Sequence, residues 1–179
     1  MLLSIIKDFQ VVISASLAFL GTLYVIKANK LNARRKNAAD IICGMNDDRL
    51  MVEGLEEIRK IIKGESSSSI FAELGNLNLN EEKRNQQVLI SYVLNRYEYV
   101  AVGIDCGTYD EEIIKRSSYN KLIRIYDQCS PMIETTRRAT GKQTIWSERE
   151  TLAERWKKCP LQTETGQRRQ PWWKVLIPW

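Results

Sequence analysis

The sequence predicts an all-α protein: a single N-terminal transmembrane helix followed by a cytosolic bundle of about five helices. Three observations carry that expectation. No residue from Phe9 to Ile26 is charged. Five cations, Lys27, Lys30, Arg34, Arg35 and Lys36, come directly after that run. Beyond them, apolar residues recur at three- and four-residue spacing, and no stretch alternates convincingly with a period of two.

The uncharged run FQVVISASLAFLGTLYVI has 18 residues. As a helix it is about 27 Å long, against a hydrocarbon core of about 30 Å. Phe9, Val12, Leu17, Phe19, Leu20, Leu23 and Ile26 are the side chains expected to meet acyl chains. Lys7 is the one cation before the run, so the excess of positive charge after it places the N-terminus outside and residues 27 to 179 in a bacterial cytoplasm. A cleaved signal peptide has the opposite order, with cations first and small residues after. The expected location is therefore the inner membrane, crossed once, with the five cations touching an anionic inner leaflet at about 1 kcal/mol each. Ser14, Ala15, Ala18 and Gly21 are small enough to let a second helix approach the span.

Composition removes whole classes of function. The chain has no histidine, which excludes His-based triads and His-ligated zinc. Neither GxxxxGK[ST] nor GxGxxG occurs. The net charge of +5 equals the juxtamembrane cluster, and the C-terminal stretch is basic too, so the body between them is slightly acidic. That is not the charge pattern of a nucleic-acid-binding domain. Cys43, Cys106, Cys129 and Cys159 are far apart in sequence and read as small buried hydrophobes. The adjacent acids Asp47/Asp48, Glu56/Glu57 and Glu111/Glu112 point about 100° apart on a helix and read as helix-start charges or solvated faces. No enzyme, cofactor or metal is expected.

The organisation follows in order: an anchor over 1–26, a basic juxtamembrane helix over 27–46, a helical domain over 47–159 and a Trp-rich basic tail over 160–179. No Pro or Gly interrupts the chain between Lys27 and Gly44, so the first helix should continue to about residue 46. Asp47 or Asp48 caps a second helix, with Leu50, Met51, Leu55, Ile58, Ile61 and Ile62 on one stripe and Gly64 as its stop. The serine-rich segment 65–80 reads as a surface loop with a short turn at Ile70 to Leu74. A third helix spans Glu81 to Ile104, with Val88, Leu89, Tyr92, Val93, Tyr99 and Val100 expected on the buried face. Arg96 lies near that face and calls for a carboxylate from another helix. A fourth helix starts at Asp110, Ser130-Pro131 should restart the chain as a short fifth helix to Arg138, and Ser147 with Glu150 has the capping-box spacing of a last helix closed by Pro160. Trp172, Trp173, Lys174 and Trp179 in the tail are expected to cover an apolar groove on the body or to settle at the membrane interface.

The stretches LNRYEYVAVGIDCGTYDEEIIKR, SPMIETTRR and ETLAERW stand in this order after the basic block. Leu94, Asn95, Glu98, Ala101, Gly103, Ile104, Asp110, Glu111, Arg137 and Trp156 carry the pattern, and over about residues 10 to 156 the chain resembles a family of short bacterial and prophage proteins catalogued as a domain of unknown function. That resemblance implies one membrane helix and a cytosolic helical domain and almost nothing about activity; it allows a prophage origin, and with it a phage-exclusion or membrane-stress role. It implies no catalytic residue. The expected function is a membrane-anchored module whose helical domain binds an unidentified protein or itself. The alternative from another class is a ligand sensor or enzyme using Asn95, Arg96 and Glu98, of which Asn95 and Glu98 share a helix side and Arg96 does not.

Overall fold

The computed structural model describes residues 2–64 and 66–161; within the first helix, side chains are described at Gln10 and from Ile13 onward. Six helices make up the described residues: α1 (Leu2–Asp47), α2 (Arg49–Lys63), α3 (Ser67–Leu74), α4 (Glu81–Asp105), α5 (Glu111–Thr140) and α6 (Ser147–Lys158). The chain is all-helical, with no strand among the described residues. The residues up to Lys36 and the residues Asn37–Thr163 belong to separate compact units. The expected tail contacts at Trp172, Trp173, Lys174 and Trp179 lie outside the described residues.

In the first unit the helix backbone runs unbroken through the uncharged stretch. Among the described residues no helix is long and apolar enough to cross a membrane. The part of that stretch whose side chains are described without interruption, residues 13 to 26, covers about 21 Å, and the side chains of Phe9 and Val12 lie outside the described ones. Every side chain from Ile13 to Ile26 is exposed, including Leu17, Phe19 and Leu20 at 64%, 63% and 60%.

The second unit is built around α4, against which α2, α3 and α6 pack, while α5 packs on α3 and α6. Its core joins Ala38 and Met45 from the end of α1 to Met51, Phe71, Leu74, Ile90, Leu94, Tyr97, Leu122, Met132, Leu152 and Trp156. Asp48 caps α2, its carboxylate accepting from the Leu50 and Met51 N–H groups at 3.1 and 3.2 Å. Gly64 ends that helix, as the spacing requires.

Four details differ from expectation, and each has a tertiary cause. The segment read as a loop contains α3, a helix of 8 residues. Its sequence periodicity is too short to register, yet it sinks Phe71 and Leu74 completely into the core. On α4 the buried stripe is Ile90, Val93, Leu94, Tyr97, Val100, Ala101 and Ile104. Val93 and Val100 are buried as expected, whereas Val88 and Tyr99, also expected inside, are 60% and 67% exposed, because neighbours on more than one side of the helix set the buried face. Pro131 does not restart the chain but lies inside α5. It leaves the Asp127 carbonyl without its usual helical donor, and the helix persists because Cys129, Met132 and Ile133 are buried on both sides of it. Finally, three of the four cysteines, Cys43, Cys106 and Cys159, are exposed, and Cys129 alone is buried.

Candidate functional site

The Ser147 capping box does not form. The residue before α6 is Trp146, in the left-handed region at φ 57° with no side-chain cap, a conformation that is strained for a bulky side chain. Burial of its indole and a hydrogen bond from Nε1 to Asn95 Oδ1 at 2.7 Å hold it there. The cap comes from α4 instead: the Glu98 carboxylate accepts from the Glu148 N–H at 3.1 Å and the Arg149 N–H at 2.8 Å. Glu150, freed from the capping role, pairs with Arg137 Nη2 at 2.7 Å and accepts from the Tyr126 hydroxyl at 3.3 Å.

Asn95 and Glu98 thus both serve the start of α6. Arg96 leaves the other side of α4 and lies 3.8 Å from Asp48 Oδ2. The carboxylate expected to meet Arg96 is therefore the N-cap of α2. Tyr92 donates to the same oxygen at 2.5 Å. This bond, with the Met51 and Leu50 N–H groups and Arg96, holds the Asp48 carboxyl below its usual range. The three candidate polar residues do not converge, and each is engaged by a neighbouring helix.

Between α5 and α6 a cleft of about 280 Å³ is lined by Tyr126, Asp127, Glu134, Arg137, Glu154 and Lys157 among others. Its cations are already neutralised. Lys157 Nζ lies 2.7 Å from Asp127, 3.4 Å from Glu154 and 4.6 Å from the centre of the Tyr126 ring. Among the described residues no group of cysteines and carboxylates is placed to hold a metal ion.

Arg149 is the feature missed by sequence reasoning. It is fully buried, and none of its guanidinium nitrogens has a hydrogen-bond partner among the described residues. Its Cζ lies 6.0 Å from the centre of the Tyr126 ring. Burial holds its pKa below the usual arginine range, and burial pushes the neighbouring Cys129 thiol up to about 12. A signal was present: Arg149, Leu152, Ala153 and Trp156 follow the i, i+3, i+4, i+7 pattern of one buried stripe. Trp156 completes that stripe, stacked on Tyr119 and donating from Nε1 to Glu111 at 2.8 Å.

One family model matches residues 12–156, a domain of unknown function designated DUF4760. The chain belongs to this family. The DUF4760 match takes in the whole of α2 to α5 and most of α1 and α6, ending at Trp156. A search of curated proteins and a search of solved structures each returned no match. The polar residues that tie α6 to α4, Asn95 and Glu98, lie within the DUF4760 match, as does Arg149.

Proposed function

We propose that the protein is a non-enzymatic, single-pass membrane protein whose helical domain, on the cytoplasmic side, docks a protein partner or a second copy of itself. The observation that carries the reading is the first unit: a continuous helix whose side chains from Ile13 to Ile26 are all exposed and carry no charge. A helix that is apolar all round is unsuited to water and suited to lipid. Phe9 and Val12 complete the span, and Lys27, Lys30, Arg34, Arg35 and Lys36 follow on the side where an anionic leaflet retains them. The second unit supports an interaction role because its conspicuous polar groups are spent on holding helices together. A bacterial inner-membrane location, with a phage-exclusion or membrane-stress role, extends the proposal by family resemblance.

The exposed cysteines supply the test. In intact cells a membrane-impermeant maleimide should label a Ser4→Cys variant on the introduced thiol and leave Cys43, Cys106 and Cys159 unmodified until the cells are opened. A variant starting at Asn37 should move from the membrane fraction to the soluble one. Labelling of the native cysteines in intact cells, or extraction of the full chain by alkaline carbonate, overturns the reading. Crosslinking in the native membrane then identifies the partner, and recovery of only the chain itself points to self-association.

A further inference from the structure

We propose that the outward face of α4 is an interface between two copies of this chain, whose α4 helices lie side by side and parallel along Val88, Tyr92, Asn95, Tyr99, Val102 and Cys106. The inference rests on the reading of the helical domain as a docking module and names the surface and its occupant.

α4 carries apolar side chains on two faces. Its buried stripe packs against α2, α3 and α6. On the opposite side Val88, Tyr99 and Val102 are 60%, 67% and 40% exposed. Asn95 and Cys106 between and beyond them are exposed too, and Tyr92 is half-buried. Cys106 caps α4 in a right-handed helical conformation, so it continues the line of the helix. The six residues alternate in steps of four and three along the chain. They fall within a sector of about 80° and extend over about 27 Å. Such alternation averages 3.5 residues, the repeat with which one helix packs along another. A helix apolar on both sides is suited to cover on both.

Charge and composition select a second copy as the cover. The seam itself holds no charged residue, so a partner recognised by opposite charge gains nothing there. Beside it the charges differ by side: Arg96 on the side of α2, near Asp48, and Glu98 and Asp105 on the side of α6. In a parallel two-fold pair the α2 side of one helix faces the α6 side of the other, cation towards acid. An antiparallel pair sets each side against itself, like charge against like. The parallel pair also places Asn95 opposite Asn95 in an otherwise apolar seam, a polar layer of the kind that fixes register and the number of strands. The Asn95 Oδ1 accepts from Trp146 at 2.7 Å, which holds the side chain in place while its amide group is available to donate across the pair. One tyrosine, two valines and their neighbours cover less than the roughly 800 Å² per partner of a stable interface in solution. Tethering both copies in one membrane raises their effective concentration and makes so small a contact sufficient.

Cys106, at the end of the seam, reports the pairing without a new side chain. Oxidation of the full chain in its native membrane by copper phenanthroline should give a disulfide-linked dimer that Cys106→Ser abolishes and that Cys43→Ser and Cys159→Ser leave intact. Tyr99→Glu, at an exposed position, should lower the dimer yield at least tenfold with little change in melting temperature. Co-expression with a Tyr99→Lys copy should restore it, because the parallel pair sets these two positions against each other. A dimer linked through Cys43 or Cys159 instead, a yield unchanged in Tyr99→Glu, no rescue by the opposite charge, or a Cys106 adduct with a different protein each overturns the proposal. So does the absence of a dimer at Cys106 together with its absence in a Val102→Cys variant. The membrane reading fails separately: a chain that alkaline carbonate extracts yet still links through Cys106 keeps this interface and loses the anchor, and a chain that stays in the membrane without linking keeps the anchor alone.

Discussion

On one flank of α4 the backbone of α2 comes so close that a Cβ on Gly54 would lie 2.5 Å from the Leu89 carbonyl oxygen and 2.6 Å from Val93 Cγ2. On the other flank α6 is held by directed polar contacts: the Glu98 cap, the Trp146–Asn95 hydrogen bond and the Arg155–Asp105 pair at 3.1 Å. The first contact is steric, with Asp48, Tyr92 and Arg96 adding one polar tie at the end of α2. The second depends on charge and hydrogen bonding and carries Arg149 buried beside it. A close backbone crossing fixes distance without fixing register, because hydrocarbon contacts are not directional. Hydrogen bonds to specific N–H groups fix register, at the cost of burying polar atoms.

Substitutions on each flank test that division. The largest effect should come from Gly54→Val, because the first atom of any side chain meets backbone that cannot swing aside; a loss of about 3 kcal/mol is expected. Chemical denaturation of the full chain in detergent measures it, and a loss under about 1 kcal/mol would mean that the α2 contact is not steric. Glu98→Ala should cost about 2 kcal/mol, since it uncaps α6 and removes a carboxylate whose charge favours the Arg149 cation. Glu98→Gln, which retains an acceptor, should recover part of that loss, and equal losses would remove the cap from the explanation.

A smaller effect of opposite sign is expected at Arg149. Replacing a buried cation that lacks hydrogen bonds by an apolar side chain of similar length relieves its desolvation, so Arg149→Met should raise stability by about 1 kcal/mol. A fall in melting temperature would show instead that the Tyr126 ring and the Glu98 charge more than compensate for burial. The smallest effect is a pH dependence on the α2 flank. The Asp48 pKa is lowered on folding, first by the Tyr92 hydrogen bond. Its contribution is therefore present above the ordinary carboxylate value of 3.8 and is lost as pH falls through the lower folded value. Tyr92→Phe should melt below the native protein at pH 7, with the gap narrowing below about pH 3.8; a gap independent of pH would assign the loss to packing alone.

Much of the helical framework is legible in the amino-acid order because its signals are local. Asp48 and Gly64 bracket α2, Asp110 opens α5, and Gly141, at φ 69°, closes it in a conformation that glycine adopts without strain. Arg96 needed a carboxylate, and one meets it. The misreadings fall where local and tertiary preferences compete. Pro131 argues for a break, but burial on both sides of it keeps α5 whole. Ser147 and Glu150 have capping-box spacing, but a carboxylate 50 residues earlier, Glu98, takes the N–H groups first. On α4 the expected face is right at Val93 and Val100, which are buried, and wrong at Val88 and Tyr99, because periodicity within one helix does not say which neighbours pack against it.

The sequence by itself therefore determined the helical class, several helix ends, the uncharged N-terminal run and the basic block after it. Each depends on residues within a few positions of one another. Only the tertiary structure decided which face of α4 is buried, that α3 belongs to the core, that Glu98 caps a distant helix, and that Arg149 is inside. Those outcomes depend on which helices meet, and burial and hydrogen bonding between segments far apart in the chain leave no local trace for a periodicity to reveal.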